Sequence, residues 1–262
     1  MSEYDVVLAA RSNGRLCASQ YIKGIVSEFL EFHGDRRFSD DAAVIGGIGM
    51  IDGMPVTVIG IEKGRTTGER IRHNFGSAHP EGYRKALRLM KQAEKFNRPV
   101  VCFVDTAGAF CGVEAEERGQ GLAIAENLYE MSTLKTPILS IVIGEGGSGG
   151  ALALSHGDRI WMVEGSYFSV VSPENCANIL WKTTEKAPEA AEALKLTPED
   201  LDKLKLIDKI CDELPKGASE EVRSKYMRSF AQNIKNELIE LKSKPVDELI
   251  NDRYEKFRKV GY

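Results

Sequence analysis

The sequence predicts an α/β fold on a largely parallel sheet. Short continuous apolar runs at 99–105 and 137–144 are each followed by a glycine-rich segment and then by helical periodicity. That order is expected of buried parallel strands joined by helical crossovers, with sites on the loops at the strand C-termini. Glycines and apolar runs also crowd residues 44–172, whereas the chain after about residue 183 is charged and helix-like.

Residues 44–51 and 55–61 are apolar runs separated by Asp52-Gly53, a dipeptide that tolerates positive φ and suits a two-residue hairpin turn. From 80 to 97, Tyr83, Leu87, Met90, Ala93 and Phe96 recur at three- and four-residue spacing, which predicts an amphipathic helix with Pro80 in its first turn. Its opposite face, Arg84, Lys85, Arg88, Lys91 and Lys95, is basic. A strand over 99–105 then runs into the loop Thr106–Gly112, followed by one long helix over 114–134. The strand 137–144 leads to the loop 144–150 and a short apolar helix over 151–155. Strands are expected at 159–164 and 167–171, and a helix at 173–181. Thr197-Pro198-Glu199-Asp200 supplies an N-cap, a first-turn proline and an acid, starting a helix through 204. Helices over 220–241 and 246–260 complete the chain, their apolar stripes needing a partner surface. The organisation expected is one domain over 1–262: a helical lead-in over 1–43, a core over 44–183 and C-terminal helices over 184–262.

The 262 residues carry 35 Lys+Arg against 39 Asp+Glu, a net charge of -4, with no basic run. This argues against nucleic-acid binding. The five cysteines, Cys17, Cys102, Cys111, Cys176 and Cys211, are far apart and contain no C-x-x-C pair, so no metal site is expected in this chain and a reducing compartment fits. The N-terminus lacks a basic-then-apolar leader and no window approaches about 18 apolar residues, so the expectation is a cytoplasmic protein with no membrane role.

The segment Gly144-Glu145-Gly146-Gly147-Ser148-Gly149-Gly150 carries the most chemistry. It fits G-x-G-x-x-G through Gly144, Gly146 and Gly149, with Glu164 twenty residues on, yet the helix after it is too short for a dinucleotide-binding crossover. It fits G-x-S-x-G with Ser148 as a nucleophile, yet only His156 lies downstream and no acid stands between. What remains is an oxyanion hole without a nucleophile: the backbone N–H groups of Gly149 and Gly150 at a helix start, facing an oxygen on which charge develops.

The runs Gly34-Asp-Arg36, Lys63-Gly-Arg65, Arg72-His-Asn-Phe-Gly76, Pro80-Glu-Gly-Tyr-Arg-Lys-Ala-Leu-Arg-Leu-Met90, Glu114-Ala-Glu-Glu-Arg-Gly-Gln120, Gly144 through Ala151, Ser172-Pro-Glu174 and Ile179-Leu-Trp-Lys182 together resemble the carboxyltransferase alpha subunits of bacterial multisubunit acetyl-CoA carboxylase. The resemblance covers about residues 16–212. It implies a crotonase-type fold of repeated ββα units and the transfer of CO2 from carboxybiotin, held on a biotin carboxyl carrier protein, to acetyl-CoA. The product is malonyl-CoA for fatty-acid synthesis. It implies a beta subunit that carries the zinc ribbon and whose glycines mainly hold the acetyl-CoA enolate, usually in an α2β2 heterotetramer, with biotin carboxylase in the larger complex. Biotin is thus the implied cofactor, with Gly149 and Gly150 donating to its ureido oxygen.

By the same resemblance Gly108, Phe110 and Gly112 line the carboxybiotin side, next to Gly146, Gly147 and Ser148. Arg118 is a candidate for a ligand carboxylate, or pairs locally with Glu116 and Glu117. Lys63 and Arg65, with Arg72, are candidates for CoA phosphates or carrier acids, or form a solvated face. The chain departs from the family's usual Thr-Pro-Gly-Ala-Tyr-Pro-Gly at Ala107, Phe110 and Cys111, and from Ser-Pro-Glu-Gly at Asn175. Two other readings stay open: a carboxyltransferase subunit for another acyl-CoA, and a non-catalytic scaffold for the beta subunit.

Overall fold

Asp52 and Gly53 both adopt positive φ (46° and 80°), the geometry a tight hairpin between twisted strands requires. A computed structural model describes residues 2–260; residues 1, 261 and 262, the ends of the expected domain, lie outside the described residues. The elements in order are α1 Glu3–Ala10, α2 Ala18–Ile25, β1 Ser27–Glu31, β2 Val44–Ile51, β3 Met54–Ile61, α3 Thr67–Arg72, α4 Pro80–Lys95, β4 Val100–Thr106, α5 Val113–Glu117, α6 Gln120–Thr133, β5 Ile138–Gly147 and α7 Ser148–Leu152. They continue with β6 Arg159–Val163, β7 Tyr167–Ser169, α8 Pro173–Trp181, α9 Ala187–Leu194, α10 Pro198–Lys203, β8 Lys209–Cys211, α11 Glu220–Ser243 and α12 Val246–Arg258.

The strands form one sheet in the order β1-β2-β3-β4-β5-β6-β8. β1–β2 and β2–β3 are antiparallel; every pairing from β3 onward is parallel. β5 has two neighbours on one edge: β6 along its first half and β7 along Glu145–Gly147. The residue patterns of β4 and β5 explain their central position, since every residue in both is buried. One face of the sheet packs on α4, α6 and α7 through residues such as Leu89, Met90, Ala123 and Ala151. The other packs on α2 and α11 through Tyr21, Ile22, Phe230, Ile234 and Leu238. A smaller cluster joins α1, α9 and β7 through Val7, Ala191 and Tyr167. Each large apolar side chain buried this way stabilises the fold by about 1.5–3 kcal/mol.

Several expectations are corrected. The helix expected over 114–134 is broken into α5 and α6 at Gly119, whose φ of 84° ends one helix and begins the next. The loop expected at 144–150 is strand as far as Gly147, because β7 supplies an edge for it, and α7 starts at Ser148 rather than 151. The lead-in contributes β1 as well as helices, and the C-terminal region contributes β8 to the sheet edge. The basic face of α4 is solvated only in part: Lys91 and Lys95 are exposed, whereas Lys85 and Arg84 are drawn into the protein. Lys85 is 1 % exposed and donates to Asp40 Oδ1 at 2.6 Å, and Arg84 pairs with Asp35 at 2.7 Å and Glu81 at 3.1 Å. Phe96, expected in the stripe, is exposed at the helix end beneath Arg98.

The C-terminal helix α12 is fastened by Arg253, a fully buried guanidinium. It forms a two-pronged pair with Asp158 (2.9 and 2.8 Å) and donates to the carbonyl oxygens of Met131, Leu134 and Thr136. Asp158 also accepts the amide of Ile138 at the start of β5. Every donor is used, so removing the arginine leaves a buried carboxylate without its countercharge and takes a donor from three carbonyls. Arg253→Ala is expected to lower stability by roughly 3–5 kcal/mol in urea unfolding. The exposed neighbour Tyr254→Ala should stay within about 0.5 kcal/mol, and equal effects would refute the assignment.

Candidate active site

β4 and β5 end side by side, with Thr106 level with Gly146, so the segment after β4 lies against the turn after β5. The contact is main chain on main chain. A Cβ on Gly147 would stand 2.1 Å from the carbonyl oxygen of Ala107, and one on Gly150 would stand 2.4 Å from the amide nitrogen of Ala109. A Cβ on Gly146 would meet the Tyr167 carbonyl oxygen at 2.7 Å. At Gly149 the nearest atom is Ile124 Cγ2 at 3.7 Å, ordinary contact. The glycines thus differ in purpose: Gly146, Gly147 and Gly150 are required by packing, while Gly149 stands on the more open side.

Ser148 sits between them at φ 55°, a strained left-handed conformation for a non-glycine residue, and is exposed; Gly149 is half-exposed and Gly150 buried. As first-turn residues of α7, Gly149 and Gly150 have amides with no partner inside the helix. No histidine serves Ser148. His156 stacks on Phe257 (3.7 Å), and its pKa is pushed down to about 4 by burial and by Arg253 and Lys256. His79 stacks on Phe110 (4.0 Å), and His33 pairs with Asp40.

The loop after β4 is held from three sides. Thr106 Oγ1 donates to the Gly108 carbonyl at 2.8 Å and accepts the Gly108 amide at 3.0 Å. Phe110 donates its amide to Ala78, and Gln120 Nε2 donates to the carbonyls of both Ala78 and Phe110. Gly112 caps α5, and a Cβ there would strike the Phe110 ring at 2.5 Å. The structure therefore brings Gly108, Phe110, Gly112, Gly146, Gly147, Ser148, Gly149 and Gly150 into two adjoining segments.

The charged candidates lie elsewhere. Arg118 pairs with Glu81 on α4 at 2.6 Å and lies over the Phe38 ring, rather than with Glu116 or Glu117. Lys63 is engaged inside the protein, bonded to Glu145 and 3.6 Å from Asp105. Arg65 and Arg72 are exposed.

The sequence reading missed the network around Glu145. Its carboxylate, 5 % exposed, also accepts from Arg11 Nε and Tyr167 Oη, each at 2.8 Å. Burial pushes Glu145 upward, but Lys63, Arg11 and Tyr167 together hold it below its ordinary value; burial raises Asp105. The signal was present as an ionisable residue inside a glycine run, although its partner Arg11 is 134 positions away.

A second missed residue is Tyr83. Fully buried, its hydroxyl has no hydrogen-bond partner among the described residues, and it would lie 2.8 Å from a Cβ on Gly150. Burial, then the charge of Asp41, raises its pKa.

A sheet with these strand-end loops is a crotonase-type fold, which it shares with solved transcarboxylase and acyl-CoA carboxylase structures. One is the transcarboxylase 12S hexamer with methylmalonyl-coenzyme A and methylmalonic acid bound: TM-score 0.69, 19% identity, covering 89% of this chain and 43% of that one. The chain thus spans about two fifths of that protein's length, and at this identity the likeness speaks for the fold alone.

Residues 1–261 match the family described as acetyl co-enzyme A carboxylase carboxyltransferase-like. The chain is 54% identical to the acetyl-coenzyme A carboxylase carboxyl transferase subunit alpha of Clostridium acetobutylicum, over 96% of this chain and 92% of that one. It is 53% identical to a fused beta/alpha protein of Natranaerobius thermophilus, over 100% of this chain and 43% of that protein. The chain belongs to the acetyl-CoA carboxylase carboxyltransferase alpha-subunit family, and is a transferase subunit.

Two outcomes follow for the turn. Gly147→Ala is expected to cost roughly 1–3 kcal/mol by overpacking against a main chain that cannot yield, whereas Gly149→Ala should be neutral or gain up to about 1 kcal/mol, what a helix interior gains from alanine over glycine. Thermal unfolding of the two variants distinguishes them. Tyr83→Phe removes a buried hydroxyl without a partner, so the melting temperature should hold or rise; a fall would show that the hydroxyl is bonded.

Proposed function

We propose that this chain transfers CO2 from carboxybiotin, presented by a biotin carboxyl carrier protein, to acetyl-CoA, yielding malonyl-CoA for fatty-acid synthesis in the cytoplasm. It acts with a beta subunit, and with biotin carboxylase in the larger complex. The observation that carries the reading is the turn Ser148-Gly149-Gly150 set against the loop after β4, with two amides free of intrahelical partners and, among the described residues, no acid or base bonded to Ser148.

The residues fit the ureido group. A ureido oxygen is a single uncharged acceptor that gains negative charge as its carboxyl group leaves. Backbone donors of fixed direction suit it better than a mobile cation. Gly149 and Gly150 would hold that oxygen through their N–H groups, and Gly149 has no side chain to obstruct its approach. Gly108 and Phe110, anchored by Thr106 and Gln120, form the facing wall. Bound carboxybiotin would supply the carboxyl group that is transferred. This chain's part is to bind, orient and stabilise charge, and proton transfer needs no side chain from it.

A beta-subunit partner is supported by the relative in which beta and alpha are one polypeptide. Large apolar side chains stand exposed on the elements flanking the turn, at Val113 (75%), Leu122 (63%), Tyr129 (74%) and Val170 (77%). Exposed apolar surface is a common feature of interfaces where it forms a contiguous patch, and these residues are the ones a partner would cover. Among the described residues no helix is long and apolar enough to cross a membrane.

The test is malonyl-CoA-dependent carboxylation of free biotin by the chain assembled with a beta subunit. Gly149→Val, which puts a branched side chain at the open side of the turn, should lower turnover by at least about a hundredfold, the scale of losing an oxyanion donor, while subunit assembly survives. Unchanged turnover would favour the scaffold reading, and activity absent from the unsubstituted complex would refute the assignment.

A further inference from the structure

A cavity of about 310 Å³ opens between residues 10–17, the segment that follows β3, and α11. Its charged lining is one-sided: Arg11, Arg15, Lys63, Arg65, Arg70 and Arg223 against a single carboxylate, Asp105. In a chain whose net charge is -4 this is a local concentration of positive charge, not a reflection of composition.

Three of the cations are occupied. Arg11 is bound to Glu145 and Glu174, Lys63 to Glu145, and Arg70 Nη2 donates to Asn13 Oδ1 at 2.8 Å. The others are not. Arg65 and Arg223 enter hydrogen bonds only through their backbone amides, and among the described residues their guanidinium groups have no ion-pair partner.

Arg15 is the telling case. Its side chain is 7% exposed, and Nη2 donates to the carbonyls of Ile143 and Glu164. Nη1 is ion-paired with Glu213 at 2.7 Å, whereas Nε is buried with no hydrogen-bond partner among the described residues. A buried guanidinium is normally matched donor for donor, because stranded charge is costly.

Like charges crowded around one cavity repel, and a bound polyanion relieves that cost and gives Arg65 and Arg223 a partner. Arginine predominates over lysine here, and its planar fork matches the oxygens of a phosphate in pairs. The volume is at the lower end of small-molecule sites, too small for a protein surface and suited to a nucleotide-sized group.

We propose that this cavity binds a small molecule through a diphosphate group, with Arg15 at the floor and Arg65 and Arg223 as the free donors. The site does not depend on the carboxyltransferase reading, because its residues are not those of the glycine turn. A bare diphosphate, a nucleoside diphosphate and the ADP portion of coenzyme A share the required chemistry.

The experiment is calorimetric titration of the full chain at low salt with inorganic pyrophosphate, ADP and coenzyme A, with adenosine as the uncharged control. Diphosphates should bind and adenosine should not. Arg65→Gln and Arg223→Gln should each weaken binding roughly tenfold, the loss of about one charge-assisted hydrogen bond, with unchanged circular dichroism and melting temperature. Equal binding of pyrophosphate and ADP assigns a bare diphosphate; tighter ADP assigns a nucleotide, and tighter coenzyme A assigns that carrier. No binding by any of the three, or wild-type binding by both variants, would overturn the site.

Discussion

The site depends on one contact: the backbone after β4 touching the backbone after β5 with no side chain between. A carbonyl oxygen 2.1 Å from where the Gly147 Cβ would be, and an amide 2.4 Å from where that of Gly150 would be, permit only glycine at both positions. Close approach has an entropic cost, since glycine loses more freedom on folding than any other residue. What it yields is a pair of strand ends whose amides are aimed by the sheet itself. Because β4 and β5 are buried along their whole length, the aim is as rigid as the core.

The ionic network below that contact keeps the strand ends in register. Glu145 draws Arg11 from α1, Lys63 from the end of β3 and Tyr167 from β7 onto one carboxylate, while its amide donates to Asp105 at the end of β4. Five segments distant in sequence are therefore joined within one residue of the glycine turn. The opposing charges and hydrogen bonds hold Glu145 ionised despite its burial. The same convergence brings Arg11 and Lys63 to the wall of the basic cavity, so one carboxylate anchors the glycine strand and partly neutralises the neighbouring cations.

The readable features were those that depend on local spacing. The Asp52-Gly53 hairpin, the α4 stripe and the two buried strands follow from periodicity and turn chemistry within a few residues. The failures share a cause in tertiary structure. β5 runs three residues past its apolar stretch because β7, twenty residues on, gives Gly146 and Gly147 an edge to pair with. Gly119 reads as one more residue in a helical stretch, yet it breaks the helix there by taking a left-handed conformation. Arg118 looks as if it should pair with the acids beside it, but Glu81 on α4 takes its guanidinium. Of the site, the glycine positions were legible because a run of them is hard to explain otherwise. Glu145, Tyr83 and Arg15 were not, since each gains its meaning from partners, or a missing partner, far away in sequence.

A site built from main-chain donors has a chemical consequence. Backbone amides stabilise developing charge but do not take up or release a proton under physiological conditions. Of the ionisable groups near the turn, Glu145 and Asp105 share Lys63, His79 is packed face to face on Phe110, and burial keeps the Tyr83 hydroxyl protonated. A reaction at this turn must then draw its base from the bound ligand or from another chain. The uncovered apolar side chains of α5, α6 and the segment after β7 supply the ground on which another chain would sit. The absence of a local base and the presence of exposed apolar side chains around the turn are consistent with the proposed division of labour, in which the turn would hold the oxygen and an assembly partner would complete the chemistry.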